Sequence, residues 1–269
     1  MAQRVVDTIT AYWALGDSRS AVDGGTVVSH PGIAPHPLGD FLQLSAETGA
    51  DRLPEVLAAA ERRTGRVCST VRLHPAGRLD VEPRLIIEGW QGDSELQLVC
   101  DGPLTVPDGA ASEVDVPGLE VRPLREADWP AVARLFRLDH EEEDRAAGVQ
   151  TRPHEVTDAA VGLRRELSRH ADFQVAAAGE TVVGFVVSAA GEGGLGIVED
   201  VFVRSDHRRQ GIATALIVAA VAQARRRGAR ELLIAADPDD HPKHLYARLG
   251  FRPTLVTWSY SRPAPQTES

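Results

Sequence analysis

The stretch GLGIVEDVFVRSDHRRQGIATALIVAAVAQARRRG, Gly194 to Gly228, carries three signals in a row. Gly194–Val203 is a strand pattern whose apolar run is interrupted by two adjacent carboxylates, Glu199 and Asp200. His207, Arg208 and Arg209 then crowd just ahead of Gly211. From Gly211 the chain is apolar around most of a helical circumference, and Gly228 closes it at a C′-like position. A strand, a basic glycine loop and a helix in that order suit an anion, because a helix N-terminus offers unpaired N–H groups and a partial positive charge. Gly211 and Ala213 leave the backbone open to close approach, while Arg204, Arg208 and Arg209 add charge-assisted donors. A solvated basic loop before an ordinary helix is the alternative that spacing alone leaves open. No Gly-Lys-Ser/Thr follows, which excludes a P-loop, and the dinucleotide glycine fingerprint is absent.

Working outward, Glu231–Ala236 reads as a strand, HPKHLYARLGF as a short helix ended by Gly250, and TLVTWSYS as an alternating last strand. Upstream, VRPLREADWPAVARLFRLDHEEEDRAAG predicts a strand and then a helix from about Ala127, with Ala131, Val132, Leu135 and Phe136 facing a core. A second helix covers Val156–Arg169, and Phe173–Ala189 is a hairpin turning at Gly179-Glu180. The order β-α-α-β-β-β-α-β-α-β over residues 116–269 is an α/β domain. Its sheet is mixed and largely antiparallel, since hairpins and a helical crossover both occur. Asp101–Gly118, rich in Pro, Gly and acidic residues, reads as a linker.

Residues 1–115 are less legible. A helix is expected at Asp51–Arg63, a strand at Arg66–Leu73, a short helix at Val81–Glu88 and a strand at Ser94–Cys100. PRLIIEGWQGDSELQLVC has the form of HPKHLYARLGFRPTLVTWSYS: short helix, glycine-aromatic, brief turn, alternating strand. The first half thus reads as a smaller, degenerate copy of the second, and nothing in it corresponds to the glycine-arginine loop.

Composition narrows the function. The net charge is −10; residues 1–115 hold 9 Arg against 17 Asp and Glu, and residues 116–269 hold 20 basic against 22 acidic residues. Neither half has the basic balance of a nucleic-acid binder. No apolar run is long enough for a membrane span, and the N-terminal MAQRVVDTITAYW lacks a signal-peptide core because Asp7 and polar residues interrupt it. Cys68 and Cys100 imply no disulfide framework, so a cytoplasmic home is expected.

Strand carboxylates, Arg208-x-x-Gly211-x-Ala213 before a long helix, a following strand, then Leu245-Tyr246-x-x-x-Gly250-Phe251 resemble the GNAT superfamily of N-acetyltransferases over Leu119–Arg262. The resemblance implies acetyl-CoA as co-substrate and no metal. It implies that the backbone N–H groups of Arg209, Gln210, Gly211, Ile212, Ala213 and Thr214 cradle the CoA pyrophosphate, with Arg208 beginning the motif. The backbone of Val201, Phe202 and Val203 is expected to pair with the pantetheine arm beside a bulge, between the splayed strands Ile197–Val203 and Glu231–Ala236. A bound amine attacks the thioester directly. Glu199 is the first choice for the base that deprotonates it, Asp200 the second, and Tyr246 takes the family's position for protonating the leaving thiolate.

One departure stands out. Where many family members place a CoA-contacting asparagine, seven residues before the tyrosine, this chain has Asp239. Asp237, Asp239, Asp240, His241 and His244 also crowd together, but carboxylates before a helix are ordinary caps. The HEEED run, His140–Asp144, is either a solvated helix end or a negative wall favouring a cationic acceptor. The expected activity is acetyl transfer to a primary amine of a small molecule or peptide. The first half is expected to supply a wall of the acceptor site or a homodimer surface. The rival is a non-catalytic acyl-CoA-binding regulatory module, which needs the anion loop but neither Tyr246 nor a strand carboxylate.

Overall fold

The computed structural model describes residues 1–262 apart from residues 17, 107–115 and 117, so most of the expected linker lies outside the described residues. The second half follows the expected order. β6 (Leu119–Pro123) precedes α4 (Trp129–Ala147) and α5 (His154–Leu167), and the hairpin is β7 (Asp172–Ala178) with β8 (Thr181–Ala189). β9 (Leu195–Val203), α6 (Ile212–Arg226), β10 (Glu231–Ala236), α7 (Pro242–Arg248) and β11 (Arg252–Ser261) complete it. Val132, Leu135 and Phe136 of α4 are buried as their spacing requires, and Ala131 packs at the rim.

In the first half α2 (Leu53–Thr64), β4 (Thr70–Leu73), α3 (Arg78–Ile87) and β5 (Gln91–Cys100) match the expected elements. Four others lie outside the expected elements: α1 (Ala2–Trp13), β1 (Arg19–Val22), β2 (Gly25–Val28) and β3 (Phe41–Leu44). The repeat is visible in three dimensions: α3 leads through Gly89-Trp90 into β5 as α7 leads through Gly250-Phe251 into β11.

All eleven strands join one sheet in the order β1-β2-β3-β4-β11-β5-β10-β9-β8-β7-β6. At its centre the two halves exchange their last strands. β5, from the first half, lies antiparallel to β10, with Leu232 opposite Cys100 and Ala236 opposite Leu96. β11, from the second half, lies between β5 and β4, with Tyr260 opposite both Gly92 and Val71. Neither half closes its own sheet. A register shift between Pro253 and Leu255 takes up one extra residue in β11, the position where a strand tolerates a proline that cannot donate to the ladder.

Helices α1, α4 and α5 cover one face of the second half's sheet, burying Trp13, Phe136, Leu163 and Phe185. α6 and α7 cover the other, burying Leu216, Ala220, Tyr246 and Phe251. A third core under α2 and α3 holds Leu42, Leu53, Leu85 and Trp90. Among the described residues no helix is long and apolar enough to cross a membrane.

The exchange ties the cores together. Leu98 belongs to the first half yet is 1% exposed in the core built on α6 of the second. Leu98→Ala is expected to cost about 2–5 kcal/mol, and thermal unfolding of both proteins should remain a single transition. A variant that melts in two steps, with only one step moved, would contradict the shared core.

Candidate functional site

The site begins where β9 leaves β10. The two run parallel with Leu195 opposite Glu231 and Val198 opposite Ile234, and there the pairing stops. On its other side β9 shifts register against β8: Val187 faces Glu199 and Phe185 faces Phe202, so three residues of β9 span two of β8. The extra residue sits beside Asp200, whose φ of 53° is left-handed. A bulge adds twist and turns a strand away from its neighbour. Gly184 permits the close pairing here, since a Cβ on it would meet the Phe202 carbonyl oxygen at 2.7 Å. Val201, Phe202 and Val203 therefore run on without a partner on the β10 side, as the expected splay requires.

The bulge changes one expectation. Regular alternation would send Glu199 and Asp200 to opposite faces. Both instead lie on the face covered by α1, α4 and α5. Asp200 is held by Arg164 of α5, Nε to Oδ2 at 2.9 Å and Nη2 to Oδ1 at 2.8 Å, with the arginine side chain 5% exposed. The guanidinium also stacks over Trp13 of α1, 4.9 Å from the ring centroid. Asp200 is thus a structural ion pair that holds the bulge. Glu199 has no ion-pair partner among the described residues, and burial together with the charges of Glu95 and Asp200 pushes its pKa well above the usual carboxylate range.

Tyr246 stands on α7, 5% exposed beside Phe251. Burial raises its pKa, and the Glu199 carboxylate adds to the shift, so both groups share one electrostatic environment. The phenol keeps its proton at neutral pH. Asp239, by contrast, is exposed in the turn before α7, its N–H donating to Asp237 Oδ1 at 2.7 Å. Asp240 likewise accepts from the N–H of His241 at 2.6 Å, but these bonds stay within the turn and no side chain caps α7, so the capping role expected of these carboxylates is not seen.

At the far end of the gap, Val203 leads into the basic loop. Gly211 caps α6 in the left-handed region at φ 81°, and Arg209 is left-handed too at φ 62°. The first backbone bond of the helix runs from Ala215 N–H to the Gly211 carbonyl. The N–H groups of Arg209, Gln210, Gly211, Ile212, Ala213 and Thr214 therefore have no backbone acceptor among the described residues. Consecutive unpaired donors on alternating right- and left-handed backbone form a concave anion seat. The arginine side chains do less than their spacing suggests. Arg204 forks onto Asp206 at 2.6 and 3.0 Å. Arg208 bonds the Val203 carbonyl at 2.8 Å and pairs with Glu142. Only Arg209, of the three, has no carboxylate partner among the described residues.

That pairing also settles the HEEED run. Glu141 pairs with Arg137, Glu142 with Arg208, and Glu143 and Asp144 with Arg152. His140 is buried, its Nδ1 2.9 Å from Thr157 Oγ1. It is neither a bare negative wall nor a fully solvated face. Asp139, one residue earlier, is the carboxylate without a salt-bridge partner among the described residues; burial and the charges of Glu143 and Asp200 raise its pKa to about 7.

The first half reaches the same face. Tyr12 of α1 is 3% exposed, its hydroxyl has no hydrogen-bond partner among the described residues, and burial with the charges of Asp200 and Glu199 raises its pKa. His36, between β2 and β3, is pushed down to about 3 by burial and by Arg164 and His140. These residues escaped the sequence reading, although a signal existed for two. Tyr12 falls in the helical series Val5, Ile9, Tyr12, Trp13, and Arg164 is a charge set within the apolar face Ala160, Leu163, Leu167. In the turn just before α2 of the first half, the Ala50 N–H is taken by Asp80 Oδ2 at 3.2 Å, and at the start of α2 Pro54 contributes no donor.

Residues 129–251 match the model of the acetyltransferase (GNAT) family. No curated protein matches the chain in sequence. Among solved structures, a GCN5-related N-acetyltransferase from Kribbella flavida is 18% identical over 99% of this chain and 97% of its own, with TM-score 0.66. A functionally unknown conserved protein from Staphylococcus epidermidis is 12% identical over 94% of this chain and 96% of its own, with TM-score 0.65. A tandem GNAT protein from the clavulanic acid biosynthesis pathway is 14% identical over 98% of this chain and 95% of its own, with TM-score 0.54. At these identities the likeness is one of fold. Residues 129–251 are accordingly a domain of the GNAT acetyltransferase family, carried in a chain whose fold is shared with tandem GNAT proteins.

Proposed function

We propose that this protein is an acetyl-CoA-dependent N-acetyltransferase that transfers an acetyl group to a primary amine of a small molecule or peptide by direct attack in a ternary complex. The observation that carries this reading is the gap between β9 and β10. One end opens toward the unengaged N–H groups of Arg209–Thr214, and the other holds Glu199 in the same electrostatic environment as Tyr246. The cradle suits a pyrophosphate because its donors are backbone groups with no competing acceptor.

The residues divide the work by position. The Arg209–Thr214 amides would hold the pyrophosphate, and the free edge of Val201–Val203 would bond the amides of the pantetheine arm like an added strand. Acetyl-CoA, when bound, supplies an acetyl group already activated as a thioester. Glu199 takes a proton from the acceptor ammonium, a task for which a raised carboxylate pKa is better matched than an ordinary one. Tyr246 keeps its phenolic proton at neutral pH and so has one to give to the departing sulfur. Asp200 acts through Arg164, as a positioning residue for the bulge.

Thiol release from acetyl-CoA over a panel of amines tests this reading. Tyr246→Phe is expected to lower kcat roughly 10²-fold with acetyl-CoA binding retained. Because the base works only when ionised, kcat/KM should rise with pH through the raised pKa of Glu199, and Glu199→Gln should lose that limb. Asp200→Asn leaves Arg164 as a buried unpaired charge and should cost about 3–5 kcal/mol, read by urea denaturation. Tight acetyl-CoA binding with no thiol release to any amine would favour the non-catalytic acyl-CoA-binding module instead.

A further inference from the structure

Arg72, on β4, differs from the other enclosed arginines. Arg164 holds Asp200, Arg122 holds Asp128 at 2.6 Å and Arg66 holds Asp40 at 2.8 Å. Arg72 has no carboxylate at salt-bridge distance among the described residues. Its guanidinium stacks over Phe41, 4.1 Å from the ring centroid, with Trp13 at 6.0 Å. A stacked guanidinium keeps its in-plane fork of N–H donors for a planar oxyanion. It lines a cavity of ≈ 60 Å³ beneath α1, together with Gln43, Asp93, Glu95, Thr257 and Ser259. That is room for roughly four waters, or for one carboxylate group.

The cavity lies on the same face of the sheet as Glu199, and the exchanged strands connect the two. On β5, Gln97 stands opposite Ala235 of β10, one residue beyond Ile234, the last residue of β10 that pairs with β9, and Glu199 follows its partner Val198 where the two strands part. Gln97 is 1% exposed; its Nε2 donates to Thr257 Oγ1 at 3.0 Å and to Glu95 Oε2 at 3.3 Å, while its Oε1 has no partner among the described residues. Glu95 stands one step further toward Arg72, close enough that its charge acts on both Arg72 and Glu199. Glu95 thus links the two: it lines the cavity with Arg72, accepts from Gln97, and its charge reaches Glu199.

We infer that this cavity is the far end of the acceptor site and binds a carboxylate of the acceptor through Arg72, so that the acceptor is an amine that also bears a carboxylate. The inference rests on the acetyl-transfer reading above, because it sets the amine at Glu199. Asp93 and Glu95 share the cavity with Arg72, and this charge pattern suits a zwitterion: the ammonium is drawn along the carboxylates while Arg72 receives the anionic end. A diamine would leave Arg72 without a partner and bring a second cation against it.

The test compares short ω-aminocarboxylates of graded chain length with the matching diamines and amino alcohols, by acetyl transfer and, separately, by calorimetric binding. One aminocarboxylate length is expected to be preferred over its diamine and alcohol. Arg72→Gln should weaken that acceptor roughly 10- to 100-fold, mainly in KM, and leave the calorimetric affinity for the amino alcohol unchanged. Arg72→Lys, which keeps the charge but not the fork, should fall between and reports should the glutamine variant fail to fold. Equal or better use of diamines, or carboxylate preference that survives Arg72→Gln, overturns the inference while leaving acetyl transfer intact. If no amine is acetylated, binding decides: aminocarboxylate affinity lost in Arg72→Gln upholds the carboxylate site, and no aminocarboxylate binding to the unmodified protein overturns it.

Discussion

A parallel pair of strands can part only where the released backbone finds other bonds or is left for a ligand. In this chain β9 and β10 part after Val198 and Ile234, and the sheet survives because each is held from its outer side. β9 is held by β8 through the bulge at Asp200, and β10 by β5, a strand of the other half. Buried backbone groups left without partners would cost too much to persist. The gap through which a pantetheine arm could thread therefore depends on pairing that the second half does not supply alone.

Electrostatics then separates two neighbouring carboxylates. The bulge brings Glu199 and Asp200 to one face, where two adjacent anions out of water would repel each other strongly. Arg164 neutralises Asp200 with two bonds and is itself fixed by stacking on Trp13. Glu199 remains without such a partner, and its proton is held more tightly. One pair of residues is thus divided into a fastener and a titrating group by the placement of one arginine. Trp13 and Tyr12 come from α1, so the first half shapes this environment as well as the sheet.

The second half was legible because its signals are long and chemically specific. α4 shows its apolar stripe, the hairpin turns at Gly179-Glu180, and the basic loop precedes an apolar helix. In the first half the pattern is legible where it has comparable length, in α2, α3 and β5, and at β4, which lies at the end of the longer strand-like run Arg66–Leu73. Strands β1 to β3 have four residues each, too few to show a period of two, and β3 is buried throughout. The arginine cluster before α6 promises more free charge than it holds: counting positive charges does not reveal that Arg204 and Arg208 already hold Asp206 and Glu142.

The sequence by itself determined the anion loop, the helix it opens, the strand carboxylates and the tyrosine, because each is a local pattern of residue types at fixed spacing. It also determined that two halves of similar form follow one another. Only the tertiary structure decided that those halves exchange their last strands, that Asp200 is spent on Arg164, and that Arg72, Glu95 and Gln97 meet the face of Glu199. Those facts depend on strand order and on a one-residue bulge. Pairing between residues more than a hundred positions apart leaves no periodic trace in a single sequence, and a bulge reverses the facing that alternation predicts.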